Sequence, residues 1–218
     1  AELCFDKFKM YQYLTAHGVP TQKTWGDYAS AMSAIENDSL AFPVFVKPRT
    51  GSGSVGARKV LDSETLKVLC EEDPSLIIQE LMTGDLDADV YIDTISHKAV
   101  SAFSKRKLET KIGGASKTIS FKDERLFDFI QVIAGLLKFN GPVDMDFFYQ
   151  DGTYYLSEVN PRFGGAYLHA YGAGVDFVKL IKNNLNGIKN TPVFGNYEDD
   201  VVMMMYDSVV ITKIDRAE

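Results

Sequence analysis

The segment "LSEVNPRFGG", residues 156–165, places an acid, an amide and a cation at alternate positions. Alternate side chains of a β-strand lie on one face, so Glu158, Asn160 and Arg162 are expected to project together. Carboxylate and amide oxygens are ligands of hard cations, and a guanidinium binds phosphate through paired hydrogen bonds. Pro161 cannot donate to a sheet, so the strand should end near it. A solvated strand end explains each residue alone, but their convergence predicts a site for Mg²⁺ and a nucleotide phosphate.

The segment "GSGSVG", residues 51–56, matches the dinucleotide-binding pattern G-x-G-x-x-G. That interpretation requires a helix directly after the glycines, but the strand-like "ARKVL" follows and the next helix signal comes only at Ser63. A glycine loop between two strands instead predicts a flap over nucleotide phosphates. Lys47 ends the strand before this flap, which makes it a candidate phosphate ligand. The alternatives are a flexible hairpin tip and a solvated lysine.

The segment "IIQELMTGDLDADV", residues 77–90, follows an apolar run with polar and acidic residues. We predict that the backbone of residues 80–82 binds adenine between the apolar side chains of Leu81 and Met82, and that Asp87 accepts hydrogen bonds from ribose. An acidic solvated turn is the alternative.

A second charged segment, "SKRKLETKIGGASK", precedes a glycine pair and carries the cations Lys105, Arg106, Lys107 and Lys111. We interpret it as a solvated basic loop, with a substrate or phosphate clamp as the alternative.

The elements that must position these residues mix strands and helices without regular βαβ alternation, which predicts an α+β fold. Asp6 can cap a first helix that Gly18 and Pro20 end. Periodicity predicts strands at 41–48, 57–61 and 75–82, a helix from Ser63, a strand pair within 88–109, a loop at 110–118, a helix at 123–141, a hairpin of 143–149 with 153–160, a broken helix at 166–187 and a final strand at 201–212.

The register of the predicted hairpin decides whether Asp146 can share a cation with Glu158. If 151–152 were a two-residue turn, Gln150 would pair with Thr153. Asp146 would then lie on the face away from Glu158.

A three-residue loop at 150–152, with its glycine in the left-handed region, shifts this pairing by one residue. Asp146 then lies opposite Leu156 and Asp144 opposite Glu158, and all four side chains share one face. We therefore predict the three-residue loop, with the carboxylates of Asp146 and Glu158 close enough to share Mg²⁺.

The bulk composition is that of an ordinary globular chain: 218 residues, 45% hydrophobic and 24% charged. A net charge of −7 argues against a nucleic-acid or anionic membrane surface. Cys4 and Cys70 form neither a metal-binding spacing nor a disulfide framework, and no signal peptide or membrane-spanning run is visible, so we expect a cytoplasmic protein. The isolated histidines His17, His97 and His169 are interpreted as structural.

These pieces, in this order, resemble the ATP-grasp superfamily. The residues that carry the resemblance are Asp6-Lys7, "VFVKP" with "RTGSGSVG", "IIQELMTGDLDADV", "VDMDFF" and "EVNPRFGG", and the nearest subfamily is the carbamoyl-phosphate-synthase large-chain-like proteins. The resemblance implies one module, 1–218, in which two α+β lobes grip the nucleotide. The small flap lobe would span about 23–80, and the large lobe about 81–218 together with the helix at 6–18. It also implies that the usual N-terminal α/β domain is missing, as expected of an excised part of a larger enzyme.

The resemblance further implies a role for individual residues. Mg²⁺, or Mn²⁺ in its place, would be bound by Asp146, Glu158 and Asn160, with Asp144 as the rival of Asp146. Lys47 and Arg162 would contact the transferring phosphate. The nucleotide would contact Lys7, Lys47, the flap residues Gly51, Ser52, Gly53, Ser54, Val55 and Gly56, the hinge residues Glu80, Leu81 and Met82, and the ribose ligand Asp87.

The activity that the resemblance implies is that of a Mg-ATP-dependent ligase. A substrate carboxylate would attack the γ-phosphate, and an amine, ammonia or a thiol would displace phosphate from the resulting acyl phosphate. The resemblance to this family is also compatible with a homodimer. The alternatives are a non-catalytic ATP-binding or regulatory module and an incomplete fragment of a larger ligase. A small-molecule kinase ranks below these because the chain lacks segments like H-R-D and D-F-G.

Overall fold

The N-terminal part of the chain forms a small antiparallel sheet. The computed structural model describes residues 2–51, 55–111 and 114–213. Up to residue 80 its elements are α1 (Glu2–Phe5), α2 (Lys7–Ala16), β1 (Thr24–Trp25), α3 (Tyr28–Glu36), β2 (Val44–Pro48), β3 (Arg58–Val60), α4 (Ser63–Glu72) and β4 (Leu76–Glu80). The four strands lie in the order β1-β4-β2-β3. Helices α3 and α4 contribute Ala31, Ala34, Leu66 and Leu69 to the core that covers one face of this sheet.

The rest of the chain forms a larger antiparallel sheet. Its elements are β5 (Asp85–Ile92), β6 (Ala99–Lys111), β7 (Gly114–Phe121), α5 (Glu124–Leu137), β8 (Gly141–Gln150), β9 (Thr153–Asn160), α6 (Tyr167–Gly172), α7 (Phe177–Leu185) and β10 (Val202–Met204). The strand order is β10-β7-β6-β5-β8-β9, and every pair is antiparallel. The predicted α+β class is confirmed, since neighbouring strands pair antiparallel in both sheets.

Strand β5 separates the core from a charged face. Its sequence "DLDADVYI" alternates, and the core side carries Leu86, Ala88 and Val90, which pack with residues of α2 and α5. The opposite side carries the acids Asp85, Asp87 and Asp89, because alternate side chains of a strand project to opposite faces. No helix in the described part of the chain is long and apolar enough to cross a bilayer.

Two predicted elements differ from the structure, and two observed elements were not predicted. The segment predicted as a loop at 110–118 belongs largely to the hairpin of β6 and β7, with residues 112 and 113 outside the described part. The predicted final strand at 201–212 is reduced to β10, which has one neighbouring strand, β7. The N–H of Met205 still donates to Ser116 O of β7, but residues 205–213 have no regular structure. Helix α3 and strand β1 were not predicted.

The predicted three-residue loop between β8 and β9 is wrong. The turn has two residues, Asp151 and Gly152, with φ of 51° and 79°, and Gln150 pairs with Thr153. Two consecutive positive φ angles give a turn whose twist matches that of the flanking strands, and Asp-Gly is a preferred sequence for it. The local turn chemistry therefore determined the loop length.

A β-bulge nevertheless brings Asp146 and Glu158 to one face. Phe147 pairs with Leu156, whereas Asp146 pairs with Glu158, so β9 contains one extra residue, Ser157, between the two pairs. Phe147 and Leu156 lie in the core. The prediction that Leu156 shares a face with Glu158 and lies opposite Asp146 is wrong. The extra residue Ser157 breaks the alternation of β9, so Leu156 and Glu158 project to opposite faces of the sheet. The predicted common face of Asp146 and Glu158 is confirmed, although a bulge rather than the turn produces it.

A buried carboxylate, Asp93, joins the end of β5 to the segment after α7. It is fully buried and accepts hydrogen bonds from Ile95 N, Ser96 N, Ser96 Oγ, Asn184 Nδ2, Asn190 N and Asn190 Nδ2 at 2.7–3.1 Å. Burial by itself would raise the pKa of this carboxyl, but the hydrogen bonds outweigh it and hold the pKa well below its usual range. The charged form of Asp93 therefore stabilises the fold.

We expect Asp93→Asn to lower the free energy of unfolding by about 2–4 kcal/mol, because an amide cannot accept all of these bonds and brings donors of its own. Urea unfolding at pH 7 measures the loss. In the unaltered chain the contribution of Asp93 should be complete above pH ~4, the unfolded pKa, and should disappear as the pH falls toward the depressed folded value. The exposed Asp128→Asn serves as control, with an expected change within about 0.5 kcal/mol. Equal losses in the two variants would contradict the assignment.

Candidate functional site

A cavity of about 760 Å³ lies between the two sheets. The small sheet lines it with Phe45, Lys47 and Pro48 of β2, and α2 contributes Lys7. The large sheet lines it with acids, which are Asp85 and Asp87 of β5, Asp144 and Asp146 of β8, and Glu158 of β9. The cavity also contains Asn160 and the cations Lys107 and Arg162. An acidic floor therefore faces cations contributed by four separate parts of the chain.

The register of the strands explains why the acids meet. Asp87 lies directly opposite Asp146 on β8 and opposite Lys105 on β6. Asp144 lies opposite Asn160 rather than opposite Glu158 as the three-residue loop would have placed it. Directly opposed residues share a face, so the acids of three strands form one charged surface.

Lys105 is the counterion beneath this surface. Its side chain is fully buried, and its Nζ contacts Asp89 and lies 3.2 Å from Oδ1 of Asp87. Burial disfavours the Lys105 ammonium, but the two aspartates outweigh burial and raise its pKa. Burial also raises the pKa of Asp89 to about 6, and Lys105 limits that rise. Oδ1 of Asp87 and Oδ1 of Asp89 accept no hydrogen bond from any described residue.

Asp144 is held between like charges and one cation. Its Oδ2 accepts a hydrogen bond of 2.9 Å from Nη1 of Arg162. Burial, followed by the nearby Asp87 and Asp146, raises the pKa of Asp144 to about 9. Gly164 approaches this group so closely that a Cβ there would collide with Asp89 and lie 3.0 Å from Oδ1 of Asp144. The glycine after Arg162 is therefore required for backbone to pack against the acids.

The remaining cations of the cavity also contact oxygen atoms of the site. Nζ of Lys47 lies 3.9 Å from Oε2 of Glu158, and Nζ of Lys107 donates to Asp146. Burial lowers the pKa of Lys47, and Glu158 partly offsets this effect. Nζ of Lys7 donates to the carbonyl oxygen of Gly51 at 2.6 Å. These contacts bring the predicted residues Lys7, Lys47, Gly51, Asp146, Glu158, Asn160 and Arg162 together around one cavity.

The donor chemistry of the floor fits a magnesium ion. Asp146 and Glu158 face the cavity from adjacent strands, and Asn160 is two residues beyond Glu158. No set of three or more acidic, histidine or cysteine side chains within the described ranges has metal-binding geometry. Mg²⁺ does not need such a set, because in nucleotide sites it takes one or two carboxylates and completes its shell with phosphate oxygens and water.

The predicted hinge and flap are only partly present at the cavity. Glu80, Leu81 and Met82 do not line it. The N–H of Glu80 donates to Lys23 O, and its carbonyl accepts from Gln22 Nε2. The adenine contact expected around Glu80, Leu81 and Met82 stays a prediction. Asp87 and Val55 line the cavity, Gly56 does not, and Ser52, Gly53 and Ser54 lie outside the described residues.

Sequence reasoning undervalued two lysines and overlooked a glutamine. Lys105 and Lys107 belong to strand β6, not to a solvated loop, and both pair with acids of the site. Their alternate spacing matches that of the acids on β5, but only the register between the strands reveals the pairing. Gln79 is buried on the cleft side of β4 opposite Phe45, and its Oε1 has no described hydrogen-bond partner.

His169, interpreted as structural, is buried against Thr118 and the backbone of Val201. Burial lowers its pKa, with the Lys105 charge acting in the same direction.

The family follows from a direct match. A family model described as an ATP-grasp domain matches residues 4–166. Because this match spans most of the chain, the chain belongs to the ATP-grasp family. A search of curated proteins finds no match to it.

Solved structures share the fold at low sequence identity. The biotin carboxylase domain of Hydrogenobacter thermophilus 2-oxoglutarate carboxylase, in complex with Mg-ADP, ADP and bicarbonate, has a TM-score of 0.75 at 18% identity, over 92% of this chain and 49% of that chain. D-Alanine–D-alanine ligase of Bacillus anthracis, complexed with ATP, has a TM-score of 0.61 at 22% identity, over 84% of this chain and 65% of that chain. L-Amino acid ligase of Bacillus licheniformis has a TM-score of 0.60 at 20% identity, over 87% of this chain and 49% of that chain. This chain thus spans about half to two thirds of their length, and the likeness establishes the ATP-grasp fold.

We expect Lys105→Met to destabilise the fold by about 3–5 kcal/mol at pH 8, because it leaves buried carboxylates without their counterion. Without Lys105 the folded pKa of Asp89 rises further above its unfolded value of about 3.9. A raised folded pKa contributes stability that is lost as the pH rises, so the deficit should be smaller at pH 5 than at pH 8.

Chemical denaturation at both pH values measures this effect, with the exposed Lys111→Met as control. A deficit that does not depend on pH would mean that Lys105 acts through packing rather than charge.

Proposed function

We propose that this chain is the nucleotide-binding and phosphoryl-transfer part of a Mg-ATP-dependent ligase. The observation that carries the proposal is the cavity in which Lys7, Lys47, Lys107 and Arg162 surround the paired acids Asp146 and Glu158. A polyphosphate needs several fixed cations, and its metal needs carboxylate oxygens beside them. Few other ligands require both in one cavity of this size.

The nucleotide phosphates would lie between Lys7, Lys47 and the start of the β2–β3 connection. Lys47 is suited to this because it is nearly buried and because its present partner, Glu158, is 3.9 Å away. Phe45 lies two residues before Lys47 on the same face of β2 and offers an apolar wall for the base. The unsatisfied Oε1 of Gln79 on the same side would accept a hydrogen bond from an amino group of the base.

Asp146, Glu158 and Asn160 would hold Mg²⁺, with Asp144 remaining the rival of Asp146. When bound, the ion neutralises phosphate charge and polarises the transferring group. Asp144 is bonded to Arg162 and Asp146 to Lys107, whereas Glu158 has one distant partner. This difference favours Glu158 as a carboxylate ligand, with Asp146 and Asp144 competing to be the second.

The proposed reaction is phosphorylation of a substrate carboxylate, followed by attack of an amine, ammonia or a thiol on the acyl phosphate, as the carbamoyl-phosphate-synthase-like motifs imply. Transfer of a phosphoryl group depends chiefly on positioning and charge stabilisation, which a set of fixed cations supplies. Arg162, whose side chain is more than half exposed, would contact the transferring phosphate. The competing proposal is an ATP-binding module without turnover.

The proposed division of the chain is a small lobe of about 23–80 and a large lobe of about 81–218 with the helix at 6–18. Two separate sheets support it, since β4 ends the small sheet at Glu80 and β5 begins the large one at Asp85.

We expect Lys47→Met to weaken binding of Mg-ATP by about tenfold or more, because a charge-assisted contact to phosphate is lost while the aliphatic stem remains. Titration calorimetry measures the affinity. Lys67→Met, on the exposed side of α4, is the matched control and should bind like the unaltered chain. Equal affinity of the Lys47 variant would remove Lys47 from the nucleotide site.

We expect Glu158→Gln to reduce the Mg²⁺-dependent part of ATP binding and the release of ADP far more than it reduces stability. The amide keeps the shape of the side chain and removes the charge assigned to the metal. Calorimetry with and without Mg²⁺ measures binding. The free energy of unfolding, obtained from thermal melts without nucleotide, should change by less than about 1 kcal/mol. Glu124→Gln on α5 is the exposed control. A collapse of metal-free stability would assign Glu158 a structural role.

A further inference from the structure

We propose that Asp6 and Arg49 form a positioning pair that fixes the ammonium group of Lys7 in the cavity. Neither residue lines the cavity, so both would act through Lys7. The proposal rests on the proposed nucleotide site for its effect on affinity, but the placement of Lys7 can be measured without nucleotide.

Asp6 has two functions with one oxygen atom. Its Oδ1 accepts a hydrogen bond of 3.0 Å from Lys9 N, which caps the first turn of α2. The same Oδ1 accepts a hydrogen bond of 2.8 Å from Nε of Arg49. The start of α2 is therefore tied to the end of β2 through a charged pair.

Two further bonds connect Lys7 to the segment that directly follows β2. The backbone N–H of Lys7 donates to the carbonyl oxygen of Arg49 at 3.0 Å, and Nζ of Lys7 donates to the carbonyl oxygen of Gly51 at 2.6 Å. The backbone N–H of Arg49 is itself bonded to Ser75 O at 3.3 Å. The Lys7 side chain thus extends from the start of α2 to the first residue of the glycine loop. Asp6 and Arg49 fix the backbone from which it extends.

Packing supports the same contact. The guanidinium carbon of Arg49 lies 5.4 Å from the ring centroid of Phe8. That ring approaches Gly26 so closely that a Cβ there would lie 2.7 Å from it. The first turn of α2 therefore packs closely on the small sheet, beside the Asp6–Arg49 pair.

An isolated exposed ion pair has little effect on stability. The Asp6–Arg49 pair is partly shielded from solvent, and it restricts the conformation of the buried Lys7 side chain. The side chains of Asp6 and Arg49 are 15% and 35% exposed, and Lys7 is 7% exposed. Without the pair, the first turn of α2 can move away from β2 and Lys7 gains rotamers and water. Each additional arrangement lowers the fraction of molecules in which Lys7 is ready to meet a phosphate.

The first test measures Lys7 directly, without nucleotide. Asp6→Asn removes the charge and keeps the cap, since Asn caps helices as well as Asp does. Arg49→Met removes the guanidinium and keeps an aliphatic stem. Trace acetylation followed by peptide mass spectrometry should show Lys7 labelled about fivefold faster in either variant, relative to the exposed Lys59 of the same molecule. Unchanged labelling of Lys7 overturns the proposal.

The second test measures the consequence for Mg-ATP binding by calorimetry. Each single variant should bind about threefold to tenfold more weakly, and the double variant should bind no more weakly than the worse single one, because both remove the same contact. Arg49→Lys should recover part of the loss. Lys9→Met is the matched control, since Lys9 lies 3.9 Å from Asp6 on the exposed side and does not contact β2.

The outcomes separate the two proposals. If the unaltered chain fails to bind Mg-ATP, the proposed function is wrong, while the labelling result still decides the placement of Lys7. If the unaltered chain binds and the variants bind equally well, or their losses add in the double variant, the positioning role is wrong and the nucleotide site stands. Melting temperatures within about 3 °C of the unaltered chain would show that the variants remain folded.

Discussion

The buried ion cluster of Lys105 with Asp87 and Asp89 is the interaction on which the rest of the site depends. Acids from three strands meet on one face, and burial, together with repulsion from Asp87 and Asp146, raises the pKa of Asp144. A fully buried lysine at the centre of that face neutralises part of this charge from below. Asp146 and Glu158 lie nearer the cavity, beside Lys107 and Lys47, where a metal and phosphates would compete for them.

The bulge in β9 is the second constraint, because it decides which side chains reach that face. A regular strand paired through a two-residue turn would put Asp146 and Glu158 on opposite faces of the sheet. One extra residue at Ser157 lets the apolar Leu156 face the core while Glu158 faces the cavity. Stability and the candidate site therefore use the same short strand without competing for it, as bulges beside functional sites commonly allow.

The cavity is also built from two sheets, so its geometry depends on how they are joined. The side-chain amide of Gln22 donates to the carbonyl oxygen of Glu80, and backbone bonds join Pro20 and Gln22 to Leu156. The segment before β1 is thereby connected to both sheets. The start of α2 adds the contact through Arg49 and Gly51. The position of Lys47 above Glu158 follows from these connections, since neither strand alone determines the distance between two sheets.

The sequence by itself determined the class of fold, the family motifs, and most of the elements that carry Lys7, Lys47, Glu158 and Arg162. Local patterns sufficed there because capping, alternation and glycine placement act over a few residues. The tertiary structure alone decided that Lys105 and Lys107 pair with acids, that Glu80 is committed to Gln22 and Lys23, and that a bulge corrects the register of Asp146. These outcomes depend on which strands lie side by side and where an unpaired residue is tolerated, and such long-range pairing is not written in any local stretch of the chain.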